Sequence, residues 1–200
     1  MDLIVQLTVY PAAVTTLIQA PKSATSTTVT WARSLNAIGY QVFVNGQLLC
    51  STLVTKCDVA MLVGPKSKIE LVALGNDGTT SVSTIAAYAP TKPIEIGAVN
   101  FAAGKSKLDA TAKKSLLAFV AEMKALGFTS VTIVGHVDSK KPSSAARALA
   151  TARAKATLSF LADYLKVTMK VVAQSSSGVI SSTKTKAGQA LNRRAALLVK

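Results

Sequence analysis

The chain has 200 residues, of which 50% are hydrophobic and 16% are charged. This length fits one large domain or two small ones and is sufficient for well-buried cores. No apolar run approaches the ~18 to 20 residues that a membrane-spanning helix requires, so we expect no transmembrane segment. Residues 1–6 lack the basic region and the cleavage site of a signal peptide. Any export signal is therefore expected to have been removed, or the chain is a segment of a longer protein.

The net charge of +14 is distributed unevenly. Residues 1–92 contain 6 Lys and Arg against 4 Asp and Glu, whereas residues 93–200 contain 17 against 5. The asymmetry indicates two domains and predicts that the second half prefers anionic surroundings, such as acidic wall polymers, anionic lipid or nucleic acid. Solvated lysines on a secreted domain would explain the same charge.

The first 90 residues have the pattern of a β protein. Alternating apolar and polar residues predict strands over residues 27–31, 40–44, 68–74 and 79–86. Asn45 and Gly46 are a strong signal for a type I′ hairpin, because that turn needs positive φ at both central residues. A second turn cluster stands at residues 76–78. Several short strands at close turn spacing predict an all-β sandwich.

Two cysteines, Cys50 and Cys57, stand seven positions apart in this half. The spacing fits a disulfide that closes a strand-turn-strand segment, with a stabilisation of about 2.5 kcal/mol on the chain-entropy estimate. A disulfide would place the protein in an oxidising compartment. Two buried thiols in a cytosolic protein are the alternative.

Residues 12–90 resemble a fibronectin type III or related immunoglobulin-like domain. The resemblance rests on Trp31 at the end of a strand, on the strand and turn at residues 40–46, and on residues 62–65 before the next strand. It implies a β-sandwich in which Trp31 and Tyr40 belong to the core. Nothing in this half indicates chemistry.

Prolines at positions 90 and 93 mark a boundary, because they disfavour helix and give a short extended linker. We therefore predict a β-sandwich at residues 1–90, a linker at 91–93 and a second domain at 94–200.

The second domain alternates between strand and helix patterns. Strands are predicted over residues 94–101, 130–134, 167–173 and 194–199. A first helix carries apolar residues from Leu108 to Met123 and stops at Gly127, and a second runs from Ser143 or Ser144 to about Leu165. Residues 183–190 are a short helix or a loop. The order β-α-β-α-β-β predicts an α/β sandwich with helices on one face of the sheet.

The residue inventory argues against catalysis. His136 is the only histidine, and both cysteines lie in the other half, so a zinc site lacks ligands. The five Asp and Glu residues of the second half show no spacing typical of an acid/base pair. Residues 175–178 have the composition of a loop, not of a nucleophile elbow. We expect no enzyme activity, no metal site and no cofactor.

The candidate site centres on Asp138 and Arg153. Asp138 follows Gly135 on a strand-to-helix loop, and Gly135 is expected to let the chain turn sharply there. Arg153 shares a helical stripe with Leu149, Ala156 and Phe160, so its side chain is expected to lie along a packed face. The two charges suit a ligand that carries both an ammonium and a carboxylate. A turn role for Asp138, or an ion pair between the two residues, is the alternative.

From Phe101 onward the chain resembles the OmpA-like C-terminal peptidoglycan-binding domain. Three ordered motifs carry the resemblance: Gly-His-Val-Asp at residues 135–138, Leu-Ala-Thr-Ala-Arg-Ala at 149–154, and Gly-Gln-Ala-Leu-Asn-Arg-Arg at 188–194. The match spans residues 94–200, and the spacing of 15 residues between Asp138 and Arg153 agrees with the family pattern.

The resemblance implies a non-enzymatic protein of the cell envelope, periplasmic or at the cell surface, that binds peptidoglycan. Asp138 would take the side-chain ammonium of meso-diaminopimelate in the stem peptide, and Arg153 would take its carboxylate. Val137 would lie beside the ligand, and Asn192 and Arg193 would brace the pocket wall or reach the ligand. The β-sandwich would act as a spacer or adhesion module.

Several positions depart from the family pattern. Val137 stands where the family has threonine, Ala146 where it has Asn, Ala150 where it has Ser, and Gly104 where a polar residue is common. These departures keep open a structural or assembly module with a degenerate pocket. A basic binder of nucleic acid or another anionic polymer is the third hypothesis; the 5% aromatic content disfavours nucleic acid, since few side chains can stack on bases.

Overall fold

The computed structural model describes residues 8–84, 87–88, 90, 92–138, 143–174 and 178–200. The chain forms two compact units, Met1–Thr91 and Lys92–Lys200, which we call unit 1 and unit 2. The expectations about residues 1–6, about residues 85 and 86 at the end of a predicted strand, about Thr91 in the linker and about residues 175–177 lie outside the described residues.

Unit 1 consists of two four-stranded sheets. Its strands are β1 (Leu17–Ser23), β2 (Ser26–Trp31), β3 (Gly39–Val44), β4 (Gln47–Thr52), β5 (Lys56–Val59), β6 (Ile69–Leu74), β7 (Thr80–Thr84) and β8 (Ala87–Tyr88). One sheet has the order β5-β2-β1-β8 and the other the order β4-β3-β6-β7. Asn45 has φ 51° and Gly46 has φ 83° between β3 and β4, as the hairpin signal predicts. The predicted all-β sandwich is confirmed.

The core of unit 1 lies between these sheets. Val29 of one sheet and Val42 and Leu71 of the other are fully buried in one apolar cluster. Trp31 and Tyr40 are core residues as predicted, with ring centroids 5.3 Å apart in an edge-to-face arrangement. A disulfide joins Cys50 of β4 to Cys57 of β5, so it links the edge strand of one sheet to the edge strand of the other.

Unit 2 is an α/β sandwich, which also confirms the predicted class. Its elements are β9 (Ile94–Asn100), α1 (Ala110–Leu126), β10 (Ser130–His136), α2 (Ser144–Ala162), β11 (Thr168–Gln174), α3 (Lys186–Asn192) and β12 (Arg194–Val199). The sheet has the order β11-β10-β12-β9. β10 runs parallel to β11, and β12 runs antiparallel to both β10 and β9. The segment left open as helix or loop contains α3, a short helix.

Local signals set the ends of the long helices. Asp109 caps α1 by accepting a hydrogen bond from the backbone N–H of Ala112, and Gly127 ends it with φ 77°. Ser143 caps α2 in the same way through the N–H of Ala146. The apolar positions predicted for α1, from Leu108 to Met123, are buried.

The buried stripe of α2 differs from the predicted one. Leu149, Ala156 and Phe160 are only partly buried; the residues that face the core are Ala150, Arg153, Ala154, Thr157 and Leu161. The predicted and observed faces share Arg153, but the buried face is rotated by one position along α2. The small side chain of Ala150 lies where α2 passes closest to Gly135 of β10. Arg153 therefore lies at the centre of the packed face.

No helix within the described ranges is long and apolar enough to span a membrane.

Candidate ligand-binding site

The predicted site residues lie at one edge of the unit 2 sheet. Asn100 at the end of β9 pairs with Arg194 at the start of β12, and His136 at the end of β10 pairs with Gln174 at the end of β11. The loops that leave these strands therefore meet at the same edge. We call this surface the site edge; its described residues are 101–109, 137–138, 143 and 178–193. Asp138, Arg153 and Arg193 are brought together there.

Arg153 is a fully buried cation of the site. Its side chain is 0% exposed, and its guanidinium donates to three backbone carbonyls: Nη1 to His136 at 2.7 Å, Nε to Lys105 at 2.9 Å and Nη2 to Ala102 at 3.4 Å. It also lies 5.5 Å from the ring centroid of Phe101. Burial lowers the pKa of Arg153, and the nearby charge of Asp138 opposes this shift. An arginine keeps its proton even so.

These contacts show what Arg153 does for the fold. Its guanidinium connects the loop after β9 to the last residue of β10, two segments that are far apart in the sequence. The pairing of Arg153 with a ligand carboxylate stays a prediction, and the loop at residues 102–105 would have to move before a ligand could reach the guanidinium.

Asp138 is the carboxylate of the site and is paired with Arg193 instead of Arg153. Arg193 Nη1 donates to Asp138 Oδ2 at 3.0 Å, and Arg193 Nε donates to the carbonyl of Phe101 at 3.2 Å. The side chain of Asp138 is 33% exposed, against 14% for Arg193. The surface of the site therefore presents an ion pair of Asp138 and Arg193, above the buried charge of Arg153.

The closing motif at residues 188–194 fastens a neighbouring loop, residues 178–183. Asn192 is buried; its Oδ1 accepts from the N–H groups of Ile180 and Ser181, and its Nδ2 donates to the carbonyl of Ser181. Gln189 donates to the carbonyl of Thr183. Arg194 donates twice to the carbonyl of Gly178, both at 3.2 Å. Asn192 thus holds the backbone at residues 180–181, and its role as a brace of a ligand pocket stays a prediction.

Gly188 and Gly135 are required for close packing at this edge. A Cβ on Gly188 would lie 2.1 Å from the carbonyl oxygen of Ser182, and a Cβ on Gly135 would lie 1.9 Å from that of Ala150. Gly135 lies within β10 and pairs with Ala173 and Ala195 of the neighbouring strands, so the sharp turn expected there is wrong. Its function is to let α2 approach β10.

His136 lies beneath the same loop. Its ring is buried against Gly178, where an added Cβ would lie 2.8 Å from its Cε1. Burial, together with the charge of Arg194, lowers the pKa of His136 to about 4. Within the described part of the chain its Nδ1 has no hydrogen-bond partner. A neutral imidazole therefore fills this position at neutral pH.

The four departures from the family pattern occupy different environments. The side chains of Val137 and Ala150 are buried, so neither presents a group to solvent. Gly104 lies in an exposed turn with φ 66°, where a residue with a Cβ would be strained. Ala146 is half-buried in the first turn of α2. Among the described residues, no group of three or more His, Cys, Asp or Glu is placed to hold a metal ion.

The fold and this arrangement of charges define a small α/β domain with an ion pair at one edge of its sheet. Residues 100–193 match the OmpA family, and this range contains the first two motifs and nearly all of the third. The chain thus carries an OmpA family domain, as the motifs predict. None of the curated proteins matches the chain significantly.

Solved structures resemble each unit at low identity. The peptidoglycan-associated lipoprotein from Burkholderia pseudomallei is 22% identical, with a TM-score of 0.47, over 52% of this chain and 89% of that one. The cell wall anchor of the T6SS from Pseudomonas aeruginosa is 15% identical, with a TM-score of 0.43, over 66% and 80%. A Fn3-like protein from Clostridium thermocellum is 19% identical, with a TM-score of 0.36, over 42% and 97%.

Proposed function

We propose that unit 2 binds peptidoglycan non-covalently and without catalysis, and that Asp138 takes the side-chain ammonium of meso-diaminopimelate in the stem peptide. The observation that carries the proposal is the state of Asp138, a carboxylate one third exposed and held in place by Arg193. The OmpA family match of the surrounding residues supports the choice of ligand.

The cationic pole of the site is assigned to Arg193, because its side chain is 14% exposed whereas Arg153 is fully buried. Arg193 donates from Nε to Phe101 and from Nη1 to Asp138, and in the proposal its Nη2 meets the ligand carboxylate. Arg153 acts as a positioning residue that holds the loop after β9 under the pair. Val137 is buried and contributes to the site through its backbone position only.

The binding strength follows from the chemistry of the pair. A hydrogen bond between an ammonium and a carboxylate contributes about 1.5 to 3 kcal/mol, so one stem peptide is held weakly. Peptidoglycan presents many stems on one polymer, and repeated sites raise the effective concentration. The protein would act as a tether in the cell envelope, with the β-sandwich of unit 1 as a spacer or adhesion module.

Co-sedimentation with sacculi that contain diaminopimelate tests the proposal. The variant Asp138→Asn keeps the shape of the side chain and removes its charge. We expect at least about a tenfold loss of binding, which corresponds to about 1.5 kcal/mol, the low end of the range for a hydrogen bond to a charged group. Arg193→Gln should weaken binding as well. Asp163→Asn is the matched control, because Asp163 is an exposed aspartate at the C-terminal end of α2. Thermal unfolding checks that each variant is folded.

Two results would contradict the residue assignment, and a third would contradict the proposal itself. If Asp138→Asn sediments as wild type does, Asp138 is not the binding carboxylate. If Arg193→Gln binds normally while a folded Arg153→Lys loses binding, Arg153 meets the ligand carboxylate after a movement of the loop at residues 102–105. Failure of the wild-type protein to sediment would favour a structural module with a degenerate pocket.

A further inference from the structure

The cations of unit 2 gather at the site edge and at the helix turns beside it. Exposed or partly exposed cations of the site edge and of residues 110–114 and 144–147 are Lys105, Lys107, Lys113, Lys114, Arg147, Lys184, Lys186 and Arg193. The acidic residues of this surface are Asp109 and Asp138, which gives 8 − 2 = +6. Buried Arg153 and Arg194 lie beneath it.

The opposite edge of the same unit is nearly neutral. It is formed by the starts of β9, β10 and β11 and the end of β12, within residues 92–95, 122–130, 162–168 and 199–200. Its cations are Lys92, Lys124, Lys166 and Lys200, and its acidic residues are Glu95, Glu122 and Asp163, which gives 4 − 3 = +1. The charge of unit 2 is therefore polarised along the strands.

Some of these cations lie at positions where they do not stabilise the folded chain. α1 and α2 both begin beside the site edge, and neither has an acidic residue in its first turn. Lys113 and Arg147 stand at the fourth helical position, close to the positive end of the helix dipole. A cation there costs about 0.3 to 1 kcal/mol when it lies near the terminus. Departures from a local stability rule mark surfaces that serve a function.

We propose that the site edge is a docking surface for a flexible wall polymer of repeated phosphodiesters, which it recognises by charge. The surface carries an excess of separate lysines and no exposed aromatic side chain among its described residues, so it lacks the stacking platforms that single-stranded nucleic acid uses. A flexible anionic polymer can avoid the carboxylates of Asp109 and Asp138, whereas a flat anionic bilayer would cover both and be repelled by them.

This inference goes beyond the proposed function and does not depend on it. Stem-peptide binding requires one carboxylate, Asp138, while polymer binding requires the lysines around it. Asp138→Asn is therefore expected to lose sacculus binding and to retain or improve binding of the polymer, since it removes a negative charge from the docking surface.

The test compares two variants of the full chain that lose the same charge. One replaces Lys105, Lys107, Lys184 and Lys186 by Gln, and the other replaces Lys92, Lys124, Lys166 and Lys200 by Gln. Titration with soluble poly(glycerol phosphate) should show at least about a tenfold loss for the first variant, because each exposed ion pair changes affinity about twofold. The second variant should change affinity less than about twofold. The first should also show a shallower dependence of affinity on salt.

Other probes decide the identity of the partner. Single-stranded DNA, vesicles of phosphatidylglycerol with phosphatidylcholine, and poly-glutamate are titrated at matched charge. Equal or tighter binding of any of these probes overturns the assignment to a phosphodiester wall polymer. Equal losses in the two quadruple variants overturn the assignment to the site edge, and so does an absence of polymer binding by wild type.

Discussion

The replacement Arg153→Lys separates the charge of Arg153 from its geometry. Lysine keeps the positive charge but cannot reach the carbonyls of Ala102, Lys105 and His136 with one planar fork. At least one buried carbonyl then loses its donor, at about 1 to 3 kcal/mol for each. The lost packing on Phe101 adds to this. We expect unit 2 to be destabilised by about 2 to 4 kcal/mol.

Urea unfolding of the full chain measures this change, and hydrogen exchange localises it. The N–H of Lys105 donates to the carbonyl of Ala102 inside the loop that Arg153 holds, so its protection should fall. Arg147→Lys on the same helix is the control; Arg147 is exposed, and we expect a change within about 0.5 kcal/mol. A stability of Arg153→Lys within that same margin would refute the positioning role.

Two further predictions concern packing and pH. Gly135→Ala places a Cβ 1.9 Å from the carbonyl oxygen of Ala150, so α2 must shift. The free energy of unfolding in urea should fall by about 3 kcal/mol or more. The control Gly97→Ala, whose Cβ would meet its nearest atom at 3.9 Å, should change it little, and equal effects of the two variants would exclude a packing cause. The pKa of His136 is about 4 in the folded protein, below its ordinary value of 6.5. As the pH drops, the unfolded chain therefore takes up the proton before the folded chain does. The free energy of unfolding falls between pH 6.5 and 4, by at most about 1.4 kcal/mol per pH unit. His136→Gln should remove this part of the pH dependence, and an unchanged slope in that variant would refute the assignment.

Much of the fold could be predicted because it depends on short-range signals. The hairpin at Asn45 and Gly46, the cap at Ser143 and the stop at Gly127 are each set by the conformation that a residue and its near neighbours can adopt. The three ordered motifs also located the OmpA family domain. Each of these signals depends on only a few consecutive residues.

The interior of the site could not be predicted in the same way. The sequence predicts Arg153 on a stripe with Leu149, Ala156 and Phe160, facing a ligand. In the structure Arg153 is buried, and its guanidinium donates to carbonyls up to 51 positions away. The partner of Asp138, Arg193, stands 55 positions along the chain. The closing motif did carry a signal, because the family resemblance implies that Arg193 braces the pocket wall or reaches the ligand.

The sequence alone determined the fold class of each unit, the strands and long helices of unit 2, the difference in charge between the two halves, and which family the second half resembles. The strands β1, β4 and β5 of unit 1 were not predicted individually. Only the tertiary structure decided which arginine faces the carboxylate, why Gly135 is a glycine, and that the cations meet at one edge of the sheet. The physical reason is distance along the chain: propensities and caps act over a few residues, whereas burial, ion pairing and close approach depend on segments that folding alone brings together.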